Sequence, residues 1–193
     1  MTKHVRVPRH WVPLAVIVTA VGSVTAGAAV AETSTGTPVA AAVIHVLATG
    51  NGTGRGGKVL VTGGIGDHGT SASVNKAGKP DSNGSYEKLS LTQGAIVLNK
   101  TKLDDNIDHA YGSLVVNSAT CSTSVSASGP LTAVDGTGAY QGISGTVHVT
   151  VIVGFVLPRY PSGAHKGNCN ESNSSQPTAS LQVVYGGGTV GLS

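Results

Sequence analysis

Residues 146–157 read TVHVTVIVGFVL, in which valine occupies every second position and Phe155 and Leu157 continue the same phase. Successive side chains of a β-strand point to opposite faces, so this period of two predicts a long strand with one apolar face. A face with six large apolar side chains in a row belongs against a hydrophobic core. This strand is therefore the segment from which the rest of the fold can be worked out.

The opposite face of the same strand is divided into two halves. Its first half carries Thr146, His148 and Thr150, whereas its second half carries the apolar Ile152 and Val156. The sequence therefore predicts that the second half is covered on both sides. Two interpretations of the polar half stay open. Either the three side chains face solvent, or they lie at the mouth of a barrel lumen, where His148 hydrogen-bonds a ligand.

Short runs of β-forming residues recur on either side of this strand and are separated by Gly, Asn, Asp and Ser. Dipeptides that favour tight turns, such as Asn83-Gly84 and Asp135-Gly136, punctuate them. Only residues 102–111 have helical spacing. Many short strands with little helix predict an all-β fold, either a sandwich or a closed barrel. The predicted strands span residues 42–48, 58–63, 70–74, 86–92, 95–98, 114–128, 131–134, 146–157, 180–185 and 189–192.

The chain begins with a segment typical of export. Basic residues precede an uncharged apolar run, and small residues lead to an Ala-x-Ala sequence that ends at Ala31. This order predicts a signal peptide over residues 1–31, cleaved after Ala31, and hence a secreted protein. A membrane anchor is the alternative, because residues 11–30 carry no charge and match the length of a span. Glycine, serine and threonine in this run disfavour stable insertion.

Cleavage leaves a flexible leader over residues 32–38 and a single β-barrel domain over residues 39–193. The signal segment contains three of the 12 basic residues and none of the nine acidic ones, so the mature chain has nine of each. No basic cluster remains, and neither nucleic acid nor a membrane is an expected partner. Association of the protein with copies of itself stays open.

Both cysteines, Cys121 and Cys169, lie in the predicted mature chain. Two cysteines in an exported protein usually pair, so we expect one structural disulfide. Two buried, unpaired thiols are the alternative.

Motifs for cofactors, metals and nucleophilic catalysis are weak. Residues 52–58 read GTGRGGK and have glycine spacings of a nucleotide-binding loop, but a strand follows where such a loop needs a helix. The histidines lack the spacing of common zinc motifs, and there is no G-x-S-x-G elbow. We therefore predict no cofactor and no metal, and the balance of the sequence is against an enzyme.

Residues 135–147 read DGTGAYQGISGTV. This stretch resembles the glycine-rich turn and following strand of the allene oxide cyclase and dirigent barrel superfamily, whose pattern is roughly G-G-T-G-x-[YF]-x-G-x-x-G-x-V. Within that superfamily the chain resembles small secreted bacterial proteins without an assigned activity. Glycine lets the chain reverse twice and approach a neighbouring strand closely here, while Tyr140 covers the barrel end. The glycines of this motif are Gly136, Gly138, Gly142 and Gly145.

The resemblance implies a closed antiparallel barrel of about eight strands, of a calycin-like type. Plant cyclases of this superfamily bind a fatty-acid epoxide in an apolar barrel, and dirigent proteins hold phenoxy radicals while they couple. No residue matches their site residues one by one, so none is carried over. The expected function is that of a binding module for a small apolar or phenolic molecule. The candidate ligand contacts are His148, Tyr140, Thr146 and Thr150.

Two other functions stay open. One is an enzyme of the cyclase or isomerase type that acts in the barrel lumen. The other is a structural or surface interaction protein with a filled core. The content of the lumen separates them, because large apolar side chains fill it whereas small residues with one or two polar groups favour a ligand.

Overall fold

The structure, a computed structural model, describes residues 40–50, 57–172 and 175–192; the predicted signal peptide and leader lie outside these residues. The chain forms strands and one helix in the order β1 (Ala40–Thr49), β2 (Gly57–Gly63), β3 (Asp67–Val74), β4 (Tyr86–Leu91), β5 (Gly94–Asn99), α1 (Thr101–Gly112), β6 (Ser122–Gly138), β7 (Ser144–Val156) and β8 (Ala179–Leu192).

Each strand pairs antiparallel with the next, and β8 pairs with β1, so the sheet closes into an eight-stranded barrel. This confirms the predicted all-β, closed antiparallel fold. The connections β2–β3, β4–β5 and β6–β7 are short turns at one end of the barrel, which we call the turn end. The other end carries α1 and the longer connections, and we call it the helix end.

The strand β7 confirms the period-two pattern. Val147, Val149, Val151 and Val153 are at most 4 % exposed, and Phe155 continues the buried row. Within the single chain the second half of β7 is covered on its inner face only, so cover of its outer face by a neighbouring subunit stays a prediction. On the outward face Ile152 and Val156 are 36 % and 37 % exposed, because these side chains lie on the outer wall of the barrel.

The strand β6 is continuous where the sequence predicted two strands with a gap at residues 129–130. Pro130 pairs with His148 of β7, and on its other side β5 pairs with β6 only from Thr132 onward. A proline is tolerated at such a position because no neighbouring strand needs its missing N–H.

The predicted start of a strand at residue 114 was also wrong. Residues 114–121 form a turn-rich segment in which the side-chain oxygen of Asn117 accepts hydrogen bonds from the amides of Ala119 and Thr120. These bonds give the backbone an alternative to a strand ladder.

The strand β8 is also continuous, although the sequence predicted a break at its three central glycines. A Cβ atom on Gly186 would lie 2.0 Å from the carbonyl oxygen of His148, and one on Gly188 would lie 2.3 Å from that of Thr146. A Cβ on Gly187 would lie 2.7 Å from the carbonyl oxygen of Ile44 on β1. The glycines therefore let β8 approach both neighbouring backbones at once, rather than ending the strand.

The predicted helix is confirmed as α1. Leu103 and Ile107, one turn apart, are its buried residues. Leu103 packs on Gly129 of β6, where a Cβ would lie 2.9 Å from the Leu103 Cα atom. The amide of Asn106 donates a hydrogen bond of 2.8 Å to the carbonyl oxygen of Ser128. The helix is thereby fixed against the inner face of β6 at the helix end.

The disulfide is confirmed as well. Cys121 and Cys169 are bonded, with their Cα atoms 5.3 Å apart. The bond ties the start of β6 to the long connection between β7 and β8. In the same region the guanidinium group of Arg159 donates hydrogen bonds of 2.6 Å to the carbonyl oxygens of Gly167 and Ala119.

Substitution of Gly188 by alanine tests the close approach in β8. The added Cβ would meet backbone atoms of β7 that cannot move independently, so we expect Gly188→Ala to destabilise the fold by about 1–3 kcal/mol in urea unfolding. Gly154→Ala on β7 is the matched control, because the nearest atom to its Cβ would be 3.9 Å away. Equal stability of the two variants would contradict the argument.

Removal of the disulfide by the double substitution Cys121→Ser and Cys169→Ser should lower stability. The bond closes a segment with a sequence separation of 48, which on the chain-entropy model stabilises the fold by about 4 kcal/mol. Urea unfolding of the oxidised protein and of the double variant measures the difference. A difference near zero would show that the connection between β7 and β8 is held by its hydrogen bonds alone.

Candidate functional site

The polar trio of β7 lies on the outer wall of the barrel. The hydroxyl of Thr150 is 2.8 Å from that of Ser128, and the hydroxyl of Thr146 is 3.1 Å from that of Thr132. His148 lies between them and is exposed. The alternation that buries the valine row turns these three side chains outward, so they do not line the lumen. This placement agrees with the solvent-facing interpretation.

Tyr140 lies instead at the turn end, where it is 3 % exposed and donates a hydrogen bond of 2.5 Å to the carboxylate of Asp67. The same carboxylate accepts bonds from the hydroxyl and amide of Thr92, and from the amides of Gln93 at 3.0 Å and His68 at 2.6 Å. Asp67 is 4 % exposed. The turn end is therefore closed by one buried, fully hydrogen-bonded acid.

These contacts set the protonation of both groups. Burial raises the pKa of Asp67, but the hydrogen bonds from Thr92, Tyr140 and the two amides outweigh burial and hold it well below its ordinary value. Burial and the bond to Asp67 raise the pKa of Tyr140. The pair is consequently a carboxylate and a neutral phenol at neutral pH, which makes it a structural latch.

The backbone conformation of the glycine motif positions Tyr140 at the turn end. Gly138, Gly142 and Gly145 have positive φ angles of 64°, 74° and 116°, which residues with a side chain rarely adopt. A Cβ on Gly136 would lie 1.9 Å from the carbonyl oxygen of Tyr140. The chain reverses once here, between β6 and β7, and not twice as the sequence predicted, because residues 135–138 still belong to β6.

The lumen next to the turn end is almost full. The void there has a volume of about 10 Å³, which is about the space of one water-sized sphere. Its walls are apolar, and they include Ile44, Val61, Leu89, Ile96, Leu131 and Val147. This half of the barrel therefore contains a packed core rather than a ligand cavity.

The half of the barrel at the helix end has polar side chains among its apolar inward residues. Glu87 alternates with the buried Leu89 on β4, so it shares the inward face of that strand. Its carboxylate accepts a hydrogen bond of 3.2 Å from the hydroxyl of Ser73 and interacts with that of Ser71, which is 3 % exposed. Gly57, the partner of Ser71 on β2, adds no side chain. A half-buried acid thus lies beside the small residues of β2 and β3 and opposite Leu98 of β5.

Burial of Glu87 favours its neutral form, whereas the nearby charge of Lys100 favours its ionised form. Burial raises the pKa of Glu87, against the opposing effects of Lys100 and of the two serine hydroxyls. Lys100 is itself engaged, because its ammonium group lies 2.8 and 3.0 Å from the two carboxylate oxygens of Asp104. When it is protonated, a carboxyl group at this position offers a hydrogen-bond donor to an oxygen atom inside the barrel.

Gln182 is a further inward polar side chain at the helix end. It is 1 % exposed, and neither atom of its amide group has a hydrogen-bond partner within the part of the chain that the structure describes. It pairs with Val153 of β7 and alternates with the buried Val184 on β8, which turns its side chain inward. The strands β4 and β8 that carry Glu87 and Gln182 are on opposite sides of the eight-stranded barrel.

An unpartnered buried amide is unusual. Each unsatisfied buried donor or acceptor costs about 1–3 kcal/mol, and native proteins contain few of them. The donor and the acceptor of Gln182 are both in this state, and the inward positions that follow it on β8, from Val184 to Val190, are apolar or glycine. The arrangement is complementary to a bound molecule that supplies an acceptor and a donor.

Neither Glu87 nor Gln182 was among the residues predicted from the sequence. A signal was present in both cases, because Glu87 is in phase with Leu89 and Leu91, and Gln182 is in phase with Val184. A polar residue in phase with a buried row is a candidate for the inside of a barrel.

Among the described residues, no helix has both the length and the apolar character needed to cross a bilayer.

No protein-family model, curated protein or solved structure matches this chain. The resemblance to the allene oxide cyclase and dirigent barrels therefore stays a prediction that rests on the glycine motif and the strand pattern.

Tyr140→Phe tests the latch at the turn end. The folded-state pKa of Asp67 is lowered, so the stability that Asp67 contributes is complete above its unfolded pKa of about 3.9 and is lost as the pH falls toward the folded pKa. Loss of the phenol brings the folded pKa back toward the ordinary value. We expect the variant to have a lower urea midpoint at pH 7 and to unfold at a higher pH in acid titration.

Tyr160→Phe, in the connection between β7 and β8, is the control for this experiment. Its ring lies against His165, with 5.7 Å between ring centroids, and does not contact Asp67. Acid unfolding of Tyr140→Phe at the same pH as the wild-type protein would contradict the role assigned to the latch.

Proposed function

We propose that this protein is a secreted β-barrel binding module for a small apolar or phenolic molecule, held in the half of the lumen at the helix end. The observation that carries the proposal is Gln182, whose buried amide has no partner in the described residues. A phenolic hydroxyl both donates and accepts hydrogen bonds, so it complements the carbonyl oxygen and the amino group of such a side chain.

Glu87 supports the same proposal from the opposite side of the barrel. Its carboxyl group, with a raised pKa, is suited to donate to a carbonyl, ether or phenolic oxygen. The apolar body of the ligand would contact the valine row of β7, which includes Val149 and Val151. One or two polar groups on an otherwise apolar wall is the usual composition of a small-molecule site.

Secretion is part of the proposal. A structural disulfide fits an oxidising compartment, and the export-like sequence of residues 1–31 leads to the same expectation. The segment itself lies outside the described residues.

An enzyme of the cyclase or isomerase type is a second candidate, and Glu87 is the observation that favours it. A carboxyl group whose pKa is raised by burial can act as a general acid in a water-poor site. A structural or surface protein is a third candidate, favoured by the packed lumen at the turn end, where the void measures only about 10 Å³.

Gln182→Leu separates ligand binding from a structural role. An apolar residue of similar length removes the unpaired amide, so we expect the ligand-free variant to be more stable by about 1–3 kcal/mol in urea unfolding. We also expect it to lose the ligand. Native mass spectrometry of protein from its secretion host, followed by organic extraction and by titration with a panel of phenolics and fatty acids, measures retention.

Gln93→Leu is the matched control, since Gln93 lies at the turn end and is exposed. It should change neither stability nor retention. If the wild-type protein retains no compound of the panel and Gln182→Leu is destabilised, the amide has an internal partner such as a water molecule. The filled-core interpretation would then replace the binding module.

A further inference from the structure

We propose that His45 and His148 form a binding site for a divalent transition-metal ion on the outer wall of the barrel, with Cu²⁺ as the preferred ion. The site is separate from the lumen and does not depend on the proposed function. It rests on the register of three neighbouring strands and on the glycine that lies between the two histidines.

The register places both imidazoles on one row of the outer wall. Gly187 of β8 pairs with His45 of β1 on one side and with His148 of β7 on the other. Both histidines are exposed, and each lies between buried neighbours on its own strand. The two side chains therefore project to the same side of the sheet, in line across β8.

Gly187, in the middle of this row, has no side chain. The ring of His45 lies in the space that a side chain at position 187 would fill. A Cβ atom on Gly187 would lie 2.9 Å from the Nδ1 atom of His45 and 3.5 Å from its Cε1 atom. The imidazole of His45 thus leans from β1 across β8 toward β7, which is the strand of His148.

The distance between the ring of His45 and the strand of His148 is suited to a bridging metal ion. Neighbouring strands are about 4.8 Å apart, so a ring that lies over β8 is about one strand spacing from β7. An ion that binds two imidazole nitrogens at about 2.0–2.1 Å each spans about 4 Å. Rotation of the exposed His148 side chain brings its ring to the ion without movement of the backbone.

The chemistry of the two ligands decides which ion is expected. Neutral imidazole is the commonest protein ligand for Cu²⁺ and Zn²⁺, and for a given nitrogen site affinity is highest for Cu²⁺. The described residues contain no group of three or more His, Cys, Asp or Glu side chains placed for a metal. The site therefore offers two protein ligands and leaves the other coordination positions to water. This predicts an exchangeable ion rather than a structural one.

Binding can be measured on the full chain with its disulfide intact. We expect CuCl₂ to bind at one site, by isothermal titration, that His45→Ala and His148→Ala each weaken by about 10-fold or more. Electron paramagnetic resonance of the Cu²⁺ complex should show coupling to two imidazole nitrogens in the wild-type protein and to one in either variant. MgCl₂, which prefers oxygen ligands, should not bind there.

His109→Ala is the matched control, because His109 is an exposed histidine on α1, outside the barrel wall. It should leave this binding site unchanged. Circular dichroism shows whether each variant keeps its fold, and the nitrogen coupling in the wild-type protein tests the site without any variant. The proposal is overturned if the wild-type complex shows a single coupled nitrogen, or if His45→Ala and His148→Ala bind Cu²⁺ as tightly as His109→Ala does.

Discussion

The close approach of three backbones at the glycines of β8 is the constraint on which the barrel depends. A side chain at Gly186 or Gly188 would meet the backbone of β7, and one at Gly187 would meet that of β1. Glycine costs conformational entropy within a strand, so this run must be offset by what it permits. It permits β8 to pair with β1 over residues 183–192 and with β7 over residues 179–191, and thereby closes the sheet.

The sequence alone predicted the structure correctly where one physical signal dominated. The period-two row of β7, the spacing of Leu103 and Ile107 in α1 and the pair of cysteines each predicted a feature that the structure contains. Prediction from the sequence failed where the conformational preference of a residue conflicted with its place among neighbouring strands. Pro130 and the glycines of β8 are strand breakers locally, but Pro130 lies where β6 has no partner on one side and the glycines lie where side chains cannot fit. Only the register of neighbouring strands reveals this.

The site was harder to predict than the fold because alternation does not say which face of a strand is inside. The trio around His148 and the valine row were both known from the sequence, yet only closure of the barrel assigned the valines to the lumen. Glu87 and Gln182 belong to no motif. Their positions become informative only once Leu89 and Val184 are known to face inward, and this is why the candidate site emerged from the structure.

The two ends of the barrel differ in whether their buried polar groups are hydrogen-bonded. At the turn end Asp67 receives hydrogen bonds from Tyr140, Thr92 and neighbouring amides, so the same fold is able to satisfy a buried charge completely. At the helix end the amide of Gln182 is buried to the same degree and has no partner in the described residues. Because leucine or valine at position 182 would avoid this cost, the presence of glutamine there favours a role outside stability. The contrast, rather than either group alone, is the reason to look for a ligand in the half of the lumen at the helix end.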